Sequence, residues 1–224
     1  MGSTSASDRA YEWLRTKIVT GELPAGSFVE EATVSEAAGV SRTPVREAMH
    51  RLAGERMIQL VPRRGAQIRD ITTREILEAY EARWLIESAA VTSVIARGED
   101  LRTTMEEHLA VMDGLIDELA ATGSPAVTAR YSAADRAFHR EYVSRGGNGL
   151  ITDFYDTLWP LHAWMSLRTD TYGNAAQVHA QHRTIFEAIV DRDETAALDT
   201  LRLHLRPFAQ PPHEGLSHLG LSTT

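Results

Sequence analysis

Apolar residues recur every three or four positions along most of this chain, which is the spacing that places them on one face of an α-helix. The first such segment predicts a helix over residues 8–20, with four apolar side chains on one face: Ala10, Trp13, Leu14 and Ile18. From Thr72 onward, breaks rich in glycine divide the pattern into six predicted helices, at about 72–97, 100–121, 125–145, 149–168, 174–191 and 193–207. The pattern therefore predicts a mainly α-helical protein.

Two shorter helices are predicted between these regions. The segment TVSEAAGV has Thr33 and Glu36 at the spacing of a capping box, and Gly39 ends the helix. The segment SRTPVREAMHRLAGERM starts the next helix, with Thr43 as the expected N-cap and Pro44 at the first helical position. Its buried side is expected to consist of four apolar residues: Val45, Ala48, Met49 and Leu52.

Two short strands joined by a basic turn are predicted after this helix. Ile58 and Leu60 belong to the first strand. Gln67 and Ile68 belong to the second, and PRRG lies between them. Helix, short helix, turn, helix and β-hairpin follow one another in the order of a winged helix-turn-helix, whose second motif helix enters the major groove of DNA. We therefore predict an N-terminal winged helix-turn-helix domain and a C-terminal all-helical antiparallel bundle.

Polar caps help to mark where the domains meet. Thr72 or Thr73 precedes Glu75 at one predicted helix start, and Asp193 precedes another. We predict four regions: a disordered start over 1–7, the winged-helix domain over 8–70, the helical domain over 71–209 and a disordered tail over 210–224. Because almost no flexible linker separates the domains near Asp70–Thr73, we expect them to be mechanically coupled.

Composition narrows the class of protein. The chain has 224 residues, of which 43% are hydrophobic, and this is ordinary for a globular protein. It has no run of eighteen apolar residues, so we expect no transmembrane helix and no membrane partner. It starts with MGSTSASDRA, which is not a signal peptide, and it contains no cysteine. These features favour a cytoplasmic location.

Charge is unevenly distributed along the chain. The formal net charge is −8, yet residues 41–69 contain seven arginines and only two acidic residues. Residues 71–224 contain 13 basic and 22 acidic residues. Such asymmetry suggests a small anion-binding module joined to an acidic body, although a solvated charged face would look the same in composition.

The arginines of the basic segment lie where a DNA-binding helix and a wing need them. Arg42 and Arg46 are four residues apart, so they point the same way from the start of the predicted recognition helix. A guanidinium group can pair with guanine O6 and N7 or with a phosphate. Arg63 and Arg64 would lie at the hairpin tip, and Gly65 allows a tight turn there.

The segment GELPAGSFVEEATVSEAAGVSRTPVREAMHRLAGERMIQLVPRRGAQI closely resembles the winged-helix domain of the GntR family of bacterial transcription regulators. The resemblance implies that Arg42 and Arg46 contact the operator, supported by Thr43 and by the wing residues Arg63, Arg64 and Gly65. It also implies a homodimer on a palindromic double-stranded operator. Many family members have an arginine ten residues before the Arg42 position, where this chain has Ala32, so one contact is missing or replaced.

Four residues of the helical domain could bind a metal ion. Asp135 and His139 are an i,i+4 pair on one helix face. His182 and His204 lie in the last two predicted helices beside apolar residues, so they could point inward. Three histidines and one aspartate suit a first-row divalent ion, but the spacing alone favours ordinary core or surface residues. The other histidines have no partner in the sequence: His50, His108, His162, His179, His213 and His218.

The segments DRAFH, HRTIFEAI and ALDTLRLHL are similar to the FCD ligand-sensing domain of the FadR subfamily, and six helices match its smaller, VanR-like version. The metal-binding members use the positions of Asp135, His139, His182 and His204. The resemblance therefore implies a divalent metal ion, with zinc preferred and nickel or manganese as alternatives. It further implies that a small carboxylate effector occupies the open coordination positions.

Arg83, in YEARWLIE, matches the first sensing helix of that family and is a candidate effector-binding residue. The alternative is that it forms an ion pair with Glu87, four residues further on.

The sequence is consistent with three functions. A ligand-responsive transcription regulator is favoured. The first alternative is a regulator for which the metal ion is itself the signal. The second is a metal-dependent hydrolase with a DNA-binding appendage, and we expect no enzyme because no base or nucleophile accompanies the four candidate ligands. Whether the protein represses or activates stays open.

Overall fold

The computed structural model describes residues 5–70, 72–168 and 175–205, which fall into two compact units, Met1–Ile71 and Thr72–Thr224. We call them unit 1 and unit 2. The predicted tail over 210–224 lies outside the described residues, and so does residue 71 of the predicted junction. In the described part of the chain, no helix is both long and apolar enough to cross a membrane.

Over its described residues, 5–70, unit 1 contains three helices and a small antiparallel sheet. Along the chain these are α1 (Ala6–Val19), β1 (Phe28–Val29), α2 (Glu31–Ala38), α3 (Arg42–Gly54), β2 (Ile58–Val61) and β3 (Gly65–Ile68). The strand order is β1-β3-β2. The predicted apolar face of α3 is buried, as are Leu14 and Ile18 of α1. This core holds the helix-turn-helix and the hairpin together as one unit.

Three helix starts differ from the prediction. Helix α1 begins within the predicted disordered start, because Ser5 caps it by accepting a hydrogen bond from the Asp8 amide. Helix α2 begins at Glu31, directly after β1, so Thr33 lies inside the helix and is not a cap. Helix α3 begins at Arg42 with Ser41 as N-cap, so Thr43 and Pro44 lie in its first turn. Proline is tolerated there because first-turn amides have no intrahelical partner.

The sequence did not predict β1, which pairs with β3 through Phe28 opposite Gln67 and Val29 opposite Ala66. Two residues are too short to show strand periodicity. The close approach of β1 also explains Gly65. Its φ is +85°, and a Cβ there would lie 2.3 Å from the carbonyl oxygen of Val29, so only glycine fits this wing turn.

The described residues of unit 2 form the six predicted helices, with ends that differ by a few residues. They are α4 (Thr73–Arg97), α5 (Arg102–Thr122), α6 (Pro125–Arg145), α7 (Gly149–Arg168), α8 (Ala175–Val190) and α9 (Glu194–His204). Thr72 and Glu75 form a capping box, and Asp193 caps α9, as predicted. Helix α6 contacts α4, α5 and α7. Its large side chains Tyr131, Phe138 and Tyr142 are fully buried, so α6 forms the centre of the unit.

Candidate metal centre and nucleic-acid interface

The four predicted metal ligands come together inside unit 2. Asp135 and His139 lie one turn apart on α6, His182 lies on α8, and His204 is the last residue of α9. Their ligand atoms all lie within 4.8 Å of one another. Three of the four side chains are buried, and His204 is half-buried. We call these four side chains the metal-centre residues.

Distances within the metal centre are short. The Nε2 atom of His139 lies 3.1 Å from Nε2 of His182 and 3.0 Å from Nε2 of His204. Asp135 Oδ1 lies 2.9 Å from Nε2 of His182. The His182 ring packs edge-on against Phe138, with centroids 5.1 Å apart. The three Nε2 atoms therefore lie close together, with the Phe138 ring packed against His182 and His139.

Hydrogen bonding at the far side of two rings decides where their protons lie. His139 Nδ1 is 2.7 Å from Glu87 Oε2, and His204 Nδ1 is 3.2 Å from Gln181 Oε1. Both partners are acceptors, so the neutral form of each histidine has its proton on Nδ1. Their Nε2 lone pairs consequently face each other over 3.0 Å. Two facing lone pairs beside a carboxylate repel unless a cation lies between them, so the donor set fits a divalent metal ion.

The protonation of the centre also suits a metal. Burial lowers the pKa of His182, although the hydrogen bond with Asp135 partly opposes the effect. Burial likewise places the pKa of His204 well below its ordinary range, and His182 and His139 lower it further. Neutral imidazole is the form that binds metal ions. His182 and His204 therefore favour the neutral form that a metal site requires.

Glu87 is a buried neighbour of the metal centre that sequence reasoning named only as a possible partner of Arg83. Its fully buried carboxylate accepts hydrogen bonds from Arg83 Nε at 2.7 Å, Tyr155 Oη at 3.0 Å, Tyr142 Oη and His139 Nδ1. Burial raises the pKa of Glu87, but Arg83 and His139 outweigh burial and the net pKa lies well below its usual range. An ionised Glu87 fixes the ring of His139 in the metal-binding orientation.

Only part of this Glu87 network was visible in the sequence. The i,i+4 spacing to Arg83 could have identified that pair. The contacts with His139, Tyr142 and Tyr155 join residues 52, 55 and 68 positions apart, so folding alone brings them together.

Arg83 forms an ion pair with Glu87, which the sequence offered as the alternative to a contact with the effector. Its side chain is 4% exposed, and Nε donates to Glu87. Among the described residues, however, its Nη2 atom has no hydrogen-bond partner. One corner of a buried guanidinium therefore remains available to an anion, so the ion pair and an effector contact are compatible.

His179, for which the sequence offered no partner, is buried and lies 2.6 Å from Asp113 through Nε2. Arg183 donates to the same carboxylate over 2.7 Å. This cluster joins α5 to α8. His50 is exposed and belongs to unit 1, whereas the side chain of His162, together with His213 and His218, lies outside the described residues.

The predicted DNA-binding residues line one groove in unit 1. The groove lies between the start of α2, the exposed side of α3 and the β2–β3 turn. Its lining includes Arg42, Arg46, Arg63, Arg64 and Gly65, together with Glu30, Glu31 and Ala32. Thr43 is exposed beside Arg42 on the first turn of α3. The helix and wing therefore present their arginines to a common space.

Two of these arginines have partners that sequence reasoning missed. Arg46 Nε donates to both carboxylate oxygens of Glu31, over 2.8 and 2.9 Å. The guanidinium carbon of Arg64 lies 3.9 Å from the ring centroid of Phe28, in β1. A cation above an aromatic face is attracted by the ring quadrupole. Strand β1 and the start of α2 thus orient the cations of helix and wing.

A winged helix-turn-helix joined to an all-helical unit with an Asp/His centre defines a class of bacterial regulators. Residues 6–68 match the bacterial regulatory proteins of the gntR family, and residues 78–207 match the FCD domain. The chain belongs to the GntR family and carries an FCD domain, and it is a transcriptional regulator. The mainly helical fold expected from the sequence is thereby confirmed.

Curated relatives include transcriptional repressors. The chain is 25% identical over 208 residues to the HTH-type transcriptional repressor GlaR of Escherichia coli, covering 90% of this chain and 93% of that protein. It is also 25% identical over 198 residues to the gluconate operon transcriptional repressor of Bacillus subtilis, covering 86% and 78%. A probable D-xylose utilization operon transcriptional repressor of Paenarthrobacter nicotinovorans is 22% identical over 214 residues, covering 92% and 88%.

Solved structures share the fold. A GntR regulator from Rhodococcus sp. RHA1 has a TM-score of 0.72 at 24% identity, covering 89% of this chain and 93% of that one. Escherichia coli McbR/YncC has a TM-score of 0.67 at 18% identity, covering 91% and 95%. At these identities the likeness concerns the fold alone.

Proposed function

We propose that this regulator binds a double-stranded operator as a homodimer, and that a small organic acid bound at a divalent metal ion in unit 2 changes its affinity for DNA. The convergence of the metal-centre residues carries the sensing part of the proposal, since four ligand atoms lie within 4.8 Å of one another. A regulator of this kind works in the cytoplasm, where its operator lies.

The ligand set favours a borderline first-row ion, with zinc preferred and nickel or manganese as alternatives. Asp135, His139, His182 and His204 would hold it. A bound ion would supply Lewis acidity towards the carboxylate of an effector.

Two features of the chain favour an anionic effector. Arg83 Nη2 has no hydrogen-bond partner among the described residues, although the side chain is buried. A buried donor of this kind is costly unless a ligand or water satisfies it. Arg83 is also tied through Glu87 to the metal ligand His139, so an anion on Arg83 would lie close to the metal centre.

For DNA, we propose that each protomer inserts α3 into the major groove, with Arg42, Thr43 and Arg46 facing the bases. Arg63, Arg64 and Gly65 would form the wing that contacts the backbone. Two protomers related by a two-fold axis would then recognise a palindrome.

Metal binding is tested by elemental analysis of the purified protein and by competition with a chelator. We expect one divalent ion per chain in the wild type. His204→Ala removes a half-buried ligand. Substituting a residue that only hydrogen-bonds to a ligand lowers metal affinity by roughly 10–100-fold, and we expect a larger loss of metal affinity here. His50→Ala changes an exposed histidine in unit 1 and should retain the ion. Equal metal content in both variants would refute the assigned centre.

Effector binding is tested with the metal-loaded protein and a panel of small acids and sugars. Gluconate and D-xylose belong in it because relatives are named for operons of these compounds. An operator is obtained by selection from a random duplex library, and fluorescence anisotropy then reports its affinity. We expect one acid to stabilise the protein thermally and to change operator affinity. By linkage, the operator must change the affinity for that acid by the same factor.

A metal-ion sensor is the second candidate, because four convergent protein ligands can by themselves distinguish a bound from an empty state. Titrating operator binding against free Zn²⁺, without any organic acid, separates the two functions. If zinc alone switches operator affinity and no acid adds to the effect, the ion is the signal.

A further inference from the structure

Glu31 is an acidic residue inside the groove that we assign to DNA. It lies at the first position of α2, and its carboxylate accepts two hydrogen bonds from Arg46 of α3. The Glu31 side chain is 28% exposed and that of Arg46 is 62% exposed. The pair therefore stands at the groove surface, where DNA would meet both members.

The contact uses only one corner of the arginine. Nε donates to Glu31, whereas Nη1 and Nη2 make no hydrogen bond within the described part of the chain. Those two terminal nitrogens form the edge that can contact guanine O6 and N7 together. Glu31 thus fixes the guanidinium plane and leaves its base-reading edge free.

The same carboxylate opposes contact with the DNA backbone. A phosphate approaching Arg46 meets the negative charge of Glu31 and that of neighbouring Glu30, both of which line the groove. The next residue in the groove lining, Ala32, is uncharged, so it adds no cation beside these two carboxylates. Phosphate contacts supply most sequence-independent affinity.

Given the proposed docking of α3 in the major groove, we propose that Glu31 is a specificity-determining residue. It positions Arg46 for base contact and prevents its use as a general phosphate contact. Reading a guanine through Nη1 and Nη2 keeps the ion pair, whereas clamping a phosphate with the Nε edge breaks it. Glu31 therefore weakens binding to arbitrary DNA more than binding to the operator.

The experiment measures the affinity of the full-length, metal-loaded protein for two duplexes: one selected from a random library with the wild type, and a scrambled duplex of equal length. For Glu31→Gln, we expect scrambled-duplex affinity to rise and the ratio of selected to scrambled affinity to fall by about tenfold. The freed arginine should also steepen the slope of log K against log salt on scrambled DNA by about 0.9.

Glu36→Gln is the matched control, because Glu36 is an exposed carboxylate on the same helix but lies outside the groove lining. It removes the same charge and should leave the ratio unchanged. Arg46→Ala combined with Glu31→Gln should show the ratio of Arg46→Ala alone, since Glu31 acts through Arg46. Glu31→Asp retains the charge but shortens the side chain, and should also lower the ratio.

The outcomes separate this role from the proposed function. If the wild type prefers no sequence in the selection, the operator-binding proposal itself fails. If the wild type selects a sequence and Glu31→Gln keeps the full preference, only the role of Glu31 is refuted. An equal fall in the Glu36→Gln control would likewise refute it, because general charge would then explain the change.

Discussion

Two arginine–glutamate pairs in this chain each use the arginine Nε as the donor, in opposite surroundings. In unit 2, Arg83 Nε lies 2.7 Å from Glu87, and the two side chains are 4% and 0% exposed. In unit 1, Arg46 Nε lies 2.8 Å from Glu31, and the side chains are 62% and 28% exposed. The distances are nearly equal, but the pairs differ in burial and in the further donors that Glu87 has: His139, Tyr142 and Tyr155.

Burial decides what each pair can do. Water competes little with a buried pair, and removing one partner leaves an uncompensated charge in a medium of low polarity. Glu87 is therefore committed to its place and can hold His139 for a metal. An exposed pair is screened by solvent and exchanges readily. Arg46 can therefore keep Glu31 while its terminal nitrogens meet a base, or release Glu31 to reach a phosphate, as the proposed role of Glu31 requires.

The largest effect is expected from Glu87→Gln, which leaves Arg83 buried without a counter-charge. We expect a loss of about 3–5 kcal/mol in the free energy of unfolding, the cost typical of breaking a buried pair. Denaturant unfolding of the metal-loaded protein measures it, with Glu36→Gln as the control for loss of a surface carboxylate. A loss no greater than that of Glu36→Gln would mean that Glu87 is not the buried centre of the network.

Arg46→Ala should have the next largest effect, and on DNA affinity rather than folding. We expect operator affinity to fall by about tenfold to hundredfold, with relaxed base choice at one position. Anisotropy titrations against the selected operator and its single-base variants measure both. Arg15→Ala, on α1 and outside the groove lining, is the control. Unchanged operator affinity in Arg46→Ala would refute the docking of α3.

Lowering the pH should reduce the free energy of unfolding by a smaller amount, through the buried histidines of unit 2. The pKa values of His182 and His204 are lowered in the folded state, mainly by burial, from an ordinary value of 6.5. Below this ordinary pKa, the two histidines bind protons in the unfolded chain more readily than in the folded chain. The free energy of unfolding therefore falls as the pH decreases. Chelator-treated protein should unfold at lower denaturant concentration at pH 5.5 than at pH 7.5. His204→Ala should show a smaller difference in stability between the two pH values. An equal difference would contradict the assignment of the pH effect to these histidines.

Glu31→Gln should have the smallest effect on folding. Its carboxylate lies at the surface, and exposed ion pairs contribute little because water screens them. We expect denaturant curves that overlay those of the wild type, measured beside Glu87→Gln. If the two variants lose comparable stability, burial does not distinguish the pairs and the comparison fails.

Local sequence patterns were sufficient for most of the secondary structure. The six helices of unit 2 were predicted because apolar spacing, glycine breaks and caps such as Thr72 act within a few residues. Strand β1 was not predicted, because two residues carry no periodic signal. Phe28–Val29 is a strand only through its pairing with β3. The starts of α2 and α3 were misplaced for a related reason, since the neighbouring β1 and the short turn after Gly39 decide where each begins.

The candidate sites likewise divide into a part that the local sequence predicted and a part that folding decided. Residue types and spacing marked the metal-centre residues and the arginines of α3 as candidates, yet the same spacing suited ordinary surface histidines and charges. The sequence by itself determined the helices, their buried faces and the uneven charge, because these depend on neighbours along the chain. Only the tertiary structure decided that Glu87 meets His139 and that Glu31 meets Arg46. These contacts join residues 52 and 15 positions apart, and their partners are chosen by helix packing, which has no local pattern.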